Sequence, residues 1–118
     1  MRVLITGGPK TGKTTLSCEF RSCPVYHADG LIGRGWSAQS DEIVRWLDQP
    51  GPWVIEGVAV VRGLRKWLRS HPEGLPFDDL IYLTEPVIAL TDGQRSMTKA
   101  TKTIWDEIHP TIVARLAG

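Results

Sequence analysis

Eight consecutive residues near the N-terminus carry the clearest chemical pattern in this sequence. They span Gly7–Thr14, read GGPKTGKT, and match the spacing G-x-x-x-x-G-K-[ST] at every fixed position. Glycines let a backbone curl so that successive N–H groups point at phosphate oxygens. A lysine at the position of Lys13 reaches the β and γ phosphates, and a hydroxyl at that of Thr14 binds Mg²⁺. The pattern predicts a loop that binds a nucleoside triphosphate, with ATP and Mg²⁺ as the expected cofactors.

The chance of meeting this pattern in a random chain of the same length is on the order of one in a hundred or less. Its position between a strand-like and a helix-like segment makes an ordinary glycine turn the weaker interpretation. The residues that we expect to contact the nucleotide from this loop are Gly8, Pro9, Lys10, Thr11, Gly12, Lys13, Thr14 and Thr15.

The elements that must position this loop alternate between strand-like and helix-like segments. Strands are predicted at 2–6, 25–28, 53–55 and 80–83, and helices at 13–21, from Ser40 to about 49, around 61–68 and at 94–116, with the last interrupted at Pro110. Such alternation predicts an α/β fold in which a parallel sheet lies between two layers of helices, a three-layer sandwich. The length of 118 residues predicts a single nucleotide-binding domain over residues 1–118.

Two acidic residues follow predicted strands, at the sheet edge where ligands of such folds bind. Asp29 follows the second strand, and Glu56 follows the third. We expect Asp29 to accept a proton from a substrate hydroxyl or to hold the metal, and Glu56 to bind Mg²⁺ or to polarise a nucleophile. The alternative for each is a solvated loop acid or a helix cap.

These residues together resemble the P-loop kinases of nucleosides, nucleotides and small metabolites, with features similar to the uridine-kinase and shikimate-kinase groups. The resemblance rests on the loop from Gly7 to Thr15, on Asp29 and on the segment 54–57, VIEG. It implies a strand order of 2-3-1-4 with the phosphate loop on strand one, and an acid at Asp29 that contacts the acceptor or the metal. It also implies a cationic lid, for which Arg95 and Lys99 are the candidates, and a fifth strand that the sequence does not clearly provide.

Three functional hypotheses follow from the sequence. The leading one is a kinase that transfers a phosphoryl group from ATP·Mg²⁺ to a small-molecule acceptor. The alternative is an ATP-dependent switch or accessory module that has no acceptor of its own and acts with a macromolecular partner. A third is an ATPase linked to DNA or RNA through the basic stripe Arg62, Arg65, Lys66 and Arg69, for which a solvated helix face is the simpler explanation.

Composition limits the classes of partner. A net charge of +1 argues against a strong general attraction to nucleic acid or to a membrane, but leaves local charge clusters open. No apolar run approaches the roughly 20 residues that span a bilayer, and two cysteines without a disulfide framework suit the cytoplasm. Five tryptophans in so short a chain leave a homodimer open, and Trp36 is a candidate for stacking on a ring of the substrate.

Overall fold

A computed structural model describes residues 1–9, 11–17, 23–31, 35–86 and 88–117 of the chain. Its sheet has four parallel strands in the order β2-β3-β1-β4, which confirms the predicted topology. The strands are β1 (Arg2–Gly7), β2 (Val25–His27), β3 (Trp53–Glu56) and β4 (Asp79–Leu83). The two central strands carry runs of fully buried apolar residues, as expected for strands covered on both faces.

Within the described ranges, four helices and one short 3-10 turn connect and follow these strands. The helices are α1 (Lys13–Ser17), α2 (Trp36–Asp48), α3 (Val60–Ser70) and α4 (Asp92–Ala117), and the 3-10 turn covers Ala28–Leu31. No helix in the described part of the chain has the length and apolar character needed to cross a membrane.

The helices form two layers because the strands present different side chains to the two faces of the sheet. Val3, Ile5 and Val54 face one side, where Leu16 of α1 packs against them. The opposite face carries the larger core, to which α2, α3 and α4 contribute their buried apolar residues. This arrangement confirms the three-layer α/β sandwich and places α1 alone, among the described helices, on its side of the sheet.

Two predicted helix boundaries are wrong. Helix α2 begins at Trp36 after Gly35, whose φ of +84° suits glycine, so Ser40 lies inside the helix and is not its first residue. Helix α4 runs through Pro110 without a break. Proline removes one backbone hydrogen bond, but Ile104, Ile108 and Ile112 on one face of α4 are buried in the core and hold the helix on both sides of it.

Candidate phosphate-binding and acid site

The predicted phosphate loop lies at the carboxyl end of the central strand β1. Its lysine is buried, with 5% of its surface exposed, and the Nζ donates hydrogen bonds to the carbonyl oxygen of Gly8 at 2.7 Å and to Oγ1 of Thr11 at 3.4 Å. The Thr11 hydroxyl donates to the same carbonyl at 2.9 Å. The loop is therefore closed around the Lys13 ammonium, which points into it.

Two glycines of the loop are needed for different reasons. Gly12 has a φ of +89° with no atom near its missing Cβ, so its backbone conformation and not its surroundings favours glycine. A Cβ on Gly7 would lie 2.1 Å from the carbonyl oxygen of Leu83 on β4, so close packing of the strands requires glycine there. Lys10 and the side chains of Thr14 and Thr15 lie outside the described part, and their predicted contacts stay predictions.

Glu56 ends β3 on the face of the sheet that α1 covers. It follows Val54 by two residues, and side chains along a strand alternate between faces, so the two share a face. Only 1% of Glu56 is exposed, and its Oε1 lies 2.6 Å from Nδ1 of His27. His27 is the cross-strand neighbour of Glu56 in β2, so the strand register itself creates this contact.

Asp29 is an exposed residue of the 3-10 turn that follows β2, beside the end of β3. Its Oδ1 is 3.3 Å from the point where a Cβ on Gly57 would lie, and Gly57 has a φ of +143°. Thr6 of β1 donates its hydroxyl hydrogen to the Gly57 carbonyl at 3.1 Å, which fixes the end of β3 against β1. The structure therefore brings both predicted acids to the same sheet edge as the phosphate loop.

The start of α4 lies against the phosphate loop through one contact that the sequence did not indicate. A Cβ on Gly8 would lie 2.9 Å from Oγ1 of Thr98. Arg95, one turn earlier in α4, is exposed and bound to its own helix start, through the carboxylate of Asp92 and the Leu90 carbonyl. Lys99 is exposed next to Thr98. Both candidate lid cations thus lie on the helix that touches the loop. Among the described residues, neither forms a hydrogen bond or an ion pair with the loop.

The carboxylates near the loop offer oxygen ligands, the type of ligand that Mg²⁺ prefers. Mg²⁺ is commonly held by one or two carboxylates together with phosphate oxygens and water, and Glu56 lies on the face that carries α1, the helix of Thr14. Asp29 follows β2 and Glu56 ends the neighbouring β3, so both carboxylates lie at the sheet edge of the loop. The described residues contain no group of three or more histidines, cysteines and acids arranged as a protein-only metal site.

Two residues of this site were missed by the sequence analysis. His27 belongs to no motif along the chain, and nothing in its sequence neighbourhood indicates a contact with Glu56. The strand order 2-3-1-4 would have revealed the pair, because it makes the last residues of β2 and β3 neighbours. Thr98 had no comparable signal, since its contact with Gly8 depends on how α4 packs.

No protein-family model matches the chain, and no curated protein matches it significantly. The loop motif and the geometry around it therefore carry the functional proposal.

Proposed function

We propose that this protein is a P-loop kinase that transfers a phosphoryl group from ATP·Mg²⁺ to a hydroxyl or phosphate group of a small molecule, for which a nucleoside or nucleotide is the leading class. The observation that carries the proposal is the convergence of the GGPKTGKT loop, Glu56 and Asp29 at one edge of a 2-3-1-4 parallel sheet. A loop of this motif supplies the donor site, and a strand-end acid supplies a group for the acceptor.

Lys13 would hold the donor phosphates. Its buried ammonium now bonds to the Gly8 carbonyl and the Thr11 hydroxyl, so it is already inside the loop. A phosphate oxygen would replace these neutral acceptors with a charged one, and charge-assisted hydrogen bonds are about twice as strong.

Mg²⁺ would neutralise charge on the β and γ phosphates during transfer. Thr14 and Glu56 are the residues proposed to hold it, with Asp29 as the other candidate. His27 would act on this site only as a positioning residue, because its contact with Oε1 restrains the carboxylate of Glu56.

Asp29 would orient the acceptor and take its proton. In the transfer, an acceptor oxygen forms a bond to the γ phosphorus while the bond from that phosphorus to the bridging oxygen breaks, and ADP leaves. The acceptor hydroxyl loses its proton to the Asp29 carboxylate, which is exposed and therefore accessible to a substrate. Arg95 or Lys99 would supply positive charge to the transferring group if α4 carries either one over the loop.

The test is release of ADP in the presence of a panel of nucleosides, nucleotides and small hydroxylated metabolites. We expect one acceptor class to stimulate release, and Asp29→Asn to lower kcat by roughly 10²-fold to 10⁴-fold, the usual contribution of a general base. Asp106→Asn, which changes an exposed acid of α4 that pairs with Lys102, is the matched control and should keep full activity. Acceptor-dependent turnover that survives Asp29→Asn unchanged would contradict the role of Asp29.

One observation favours the alternative of an ATP-dependent switch or accessory module. The described strands end at β4, whose residues 80–83 are only half-buried, and they include no fifth strand beside it. An open strand edge is a template for pairing with another chain. This alternative predicts that the protein binds ATP or ADP but releases no ADP on its own with any acceptor in the panel.

A further inference from the structure

A basic groove lies between α2 and α3, in the helix layer opposite α1. Its volume is about 300 Å³, and it opens to solvent. We call it the α2–α3 groove, and the residues that line it are Trp36, Ser37, Ser40, Arg62, Arg65, Lys66 and Arg69. Among the described residues, the lining therefore combines four cations, two hydroxyl groups and one aromatic ring, and it contains no acid.

Positive charge remains in excess in this groove after its ion pairs are counted. Lys66 pairs with Asp41, and Arg65 and Arg69 both pair with Glu107 of α4. Four cations thus face two carboxylates, and Arg62 has no carboxylate within ion-pair distance among the described residues. Burial, and then repulsion by Arg65, lowers the pKa of the Arg62 guanidinium below its usual value. An added anion would relieve this repulsion.

The aromatic end of the groove is built for stacking. Trp36 keeps 51% of its surface exposed, and the guanidinium carbon of Arg62 lies 4.2 Å from its ring centroid. Trp36 therefore presents a half-exposed ring at one end of the groove, beside the Arg62 guanidinium. Base–aromatic stacking beside a basic track is the usual way in which proteins hold single-stranded nucleic acid.

We propose that the α2–α3 groove binds single-stranded nucleic acid over two to three nucleotides. Arg62 and Arg69 are seven residues apart, so the basic stripe is about 10 Å long, too long for one phosphate group. Ser37 and Ser40 add hydroxyl donors for phosphate oxygens. The proposal goes beyond kinase chemistry and does not depend on the phosphate loop, which is carried by β1 and α1.

The test is fluorescence anisotropy of a labelled oligodeoxythymidine of about 12 nucleotides, titrated with the full chain without ATP. We expect binding that weakens steeply between about 50 mM and 200 mM salt, as phosphate contacts require. Arg69→Gln should weaken binding by roughly threefold to tenfold and lower the salt slope by about 1. Trp36→Ala should weaken it by roughly tenfold through lost stacking.

The matched control is Arg45→Gln on α2. Arg45 and Arg69 are each 66% exposed and each pair with a glutamate, but Arg45 does not line the groove. Absence of binding at low salt, or equal effects of the two arginine variants, would overturn the proposal. Competition experiments provide further outcomes that would overturn it. One is displacement of the oligonucleotide by inorganic phosphate or AMP at the same phosphate concentration, or by polyglutamate at the same charge concentration. Another is displacement by duplex DNA as readily as by unlabelled single-stranded DNA. Because ATP is absent, these outcomes are independent of the kinase assay.

Discussion

At the scale of single residues, the burial and the hydrogen bonds of Lys13 are the most informative features of the loop. A buried ammonium needs hydrogen-bond partners, and this one has the Gly8 carbonyl and the Thr11 hydroxyl within the loop. The loop therefore holds its cation inside it, and the proposed phosphate site uses that position. Binding would exchange partners around Lys13 and would not need to bring it in from solvent.

The contact between Gly8 and Thr98 predicts a rescue experiment. Gly8→Ala places a methyl group 2.9 Å from Oγ1 and 3.1 Å from Cγ2 of Thr98, so it should destabilise the protein by about 1–3 kcal/mol through overpacking. Adding Thr98→Ala removes both clashing atoms and should restore part of that loss. Thermal or urea unfolding of the single and double variants measures it.

Thr103→Ala is the control for that rescue. The hydroxyls of Thr98 and Thr103 each donate to the carbonyl four residues earlier in α4 at 2.9 Å, but Thr103 is exposed and away from Gly8. If Thr103→Ala rescued Gly8→Ala as well as Thr98→Ala does, the effect would belong to the helix and not to its contact with the loop.

Residues that belong to a sequence-local motif were predictable, and those that depend on distant partners were not. Gly12 and Lys13 could be assigned because their spacing along the chain defines the loop. His27 and Glu56 are 29 residues apart, and only the pairing of β2 with β3 makes them neighbours. The periodic spacing of apolar residues predicts which face of a helix or strand is buried. It does not predict which polar side chains contact each other across neighbouring strands.

At the scale of elements, the packing of α2 on α3 depends on a glycine inside a helix. A Cβ on Gly63 would lie 2.3 Å from Cγ2 and 2.5 Å from Cβ of Ile43. Gly63→Ala should therefore destabilise the protein by about 1–3 kcal/mol, although alanine favours helices by up to about 1 kcal/mol. Gly93→Ala, in α4 with no atom near the added methyl, should be neutral or stabilising. Equal unfolding midpoints for the two variants would contradict this close helix contact.

The sequence predicts the helices and strands whose apolar residues recur at a regular spacing. It predicts the first and last residues of these elements less well. The four strands follow from short apolar runs, but the start of α2 follows from Gly35, which a pattern of apolar residues does not register. Similarly, Pro110 indicates a break only when the flanking turns lack support. In α4 the buried isoleucines on both sides supply that support.

At the scale of the whole molecule, the net charge of +1 hides an uneven distribution of charge. The α2–α3 groove collects four cations within one helix face, a concentration that a total over 118 residues cannot show. The sequence did identify the stripe itself, because its residues recur at helical spacing. What it lacked was the position of Trp36 over Arg62, which is set by the packing of two helices.

An ion pair joins Arg2, the first residue of β1, to Asp78, just before the neighbouring β4, and its contribution to stability should depend on pH. Asp78 accepts hydrogen bonds from the backbone N–H of Arg2 at 2.8 Å and from its guanidinium at 3.3 Å. The bond from the guanidinium, and then the bond from the backbone N–H, lower the pKa of Asp78 below its ordinary 3.8. A lowered folded-state pKa gives stability that is present above pH 3.8 and lost as the pH falls through the lower folded-state value. Asp78→Asn should thus lower the thermal midpoint at pH 7 and change it much less near pH 2, whereas an equal change at both pH values would contradict this linkage.

The central claim is that the loop from Gly7 to Thr15 binds the phosphates of ATP through Lys13, and calorimetric titration with ATP and Mg²⁺ tests it most directly. The account predicts saturable binding by the wild-type chain, loss of binding in Lys13→Met, and unchanged binding in Lys102→Met, an exposed lysine of α4 paired with Asp106. Thermal unfolding must show that Lys13→Met remains folded. Absence of binding by the wild-type chain, or equal binding by a folded Lys13→Met variant, would contradict the account.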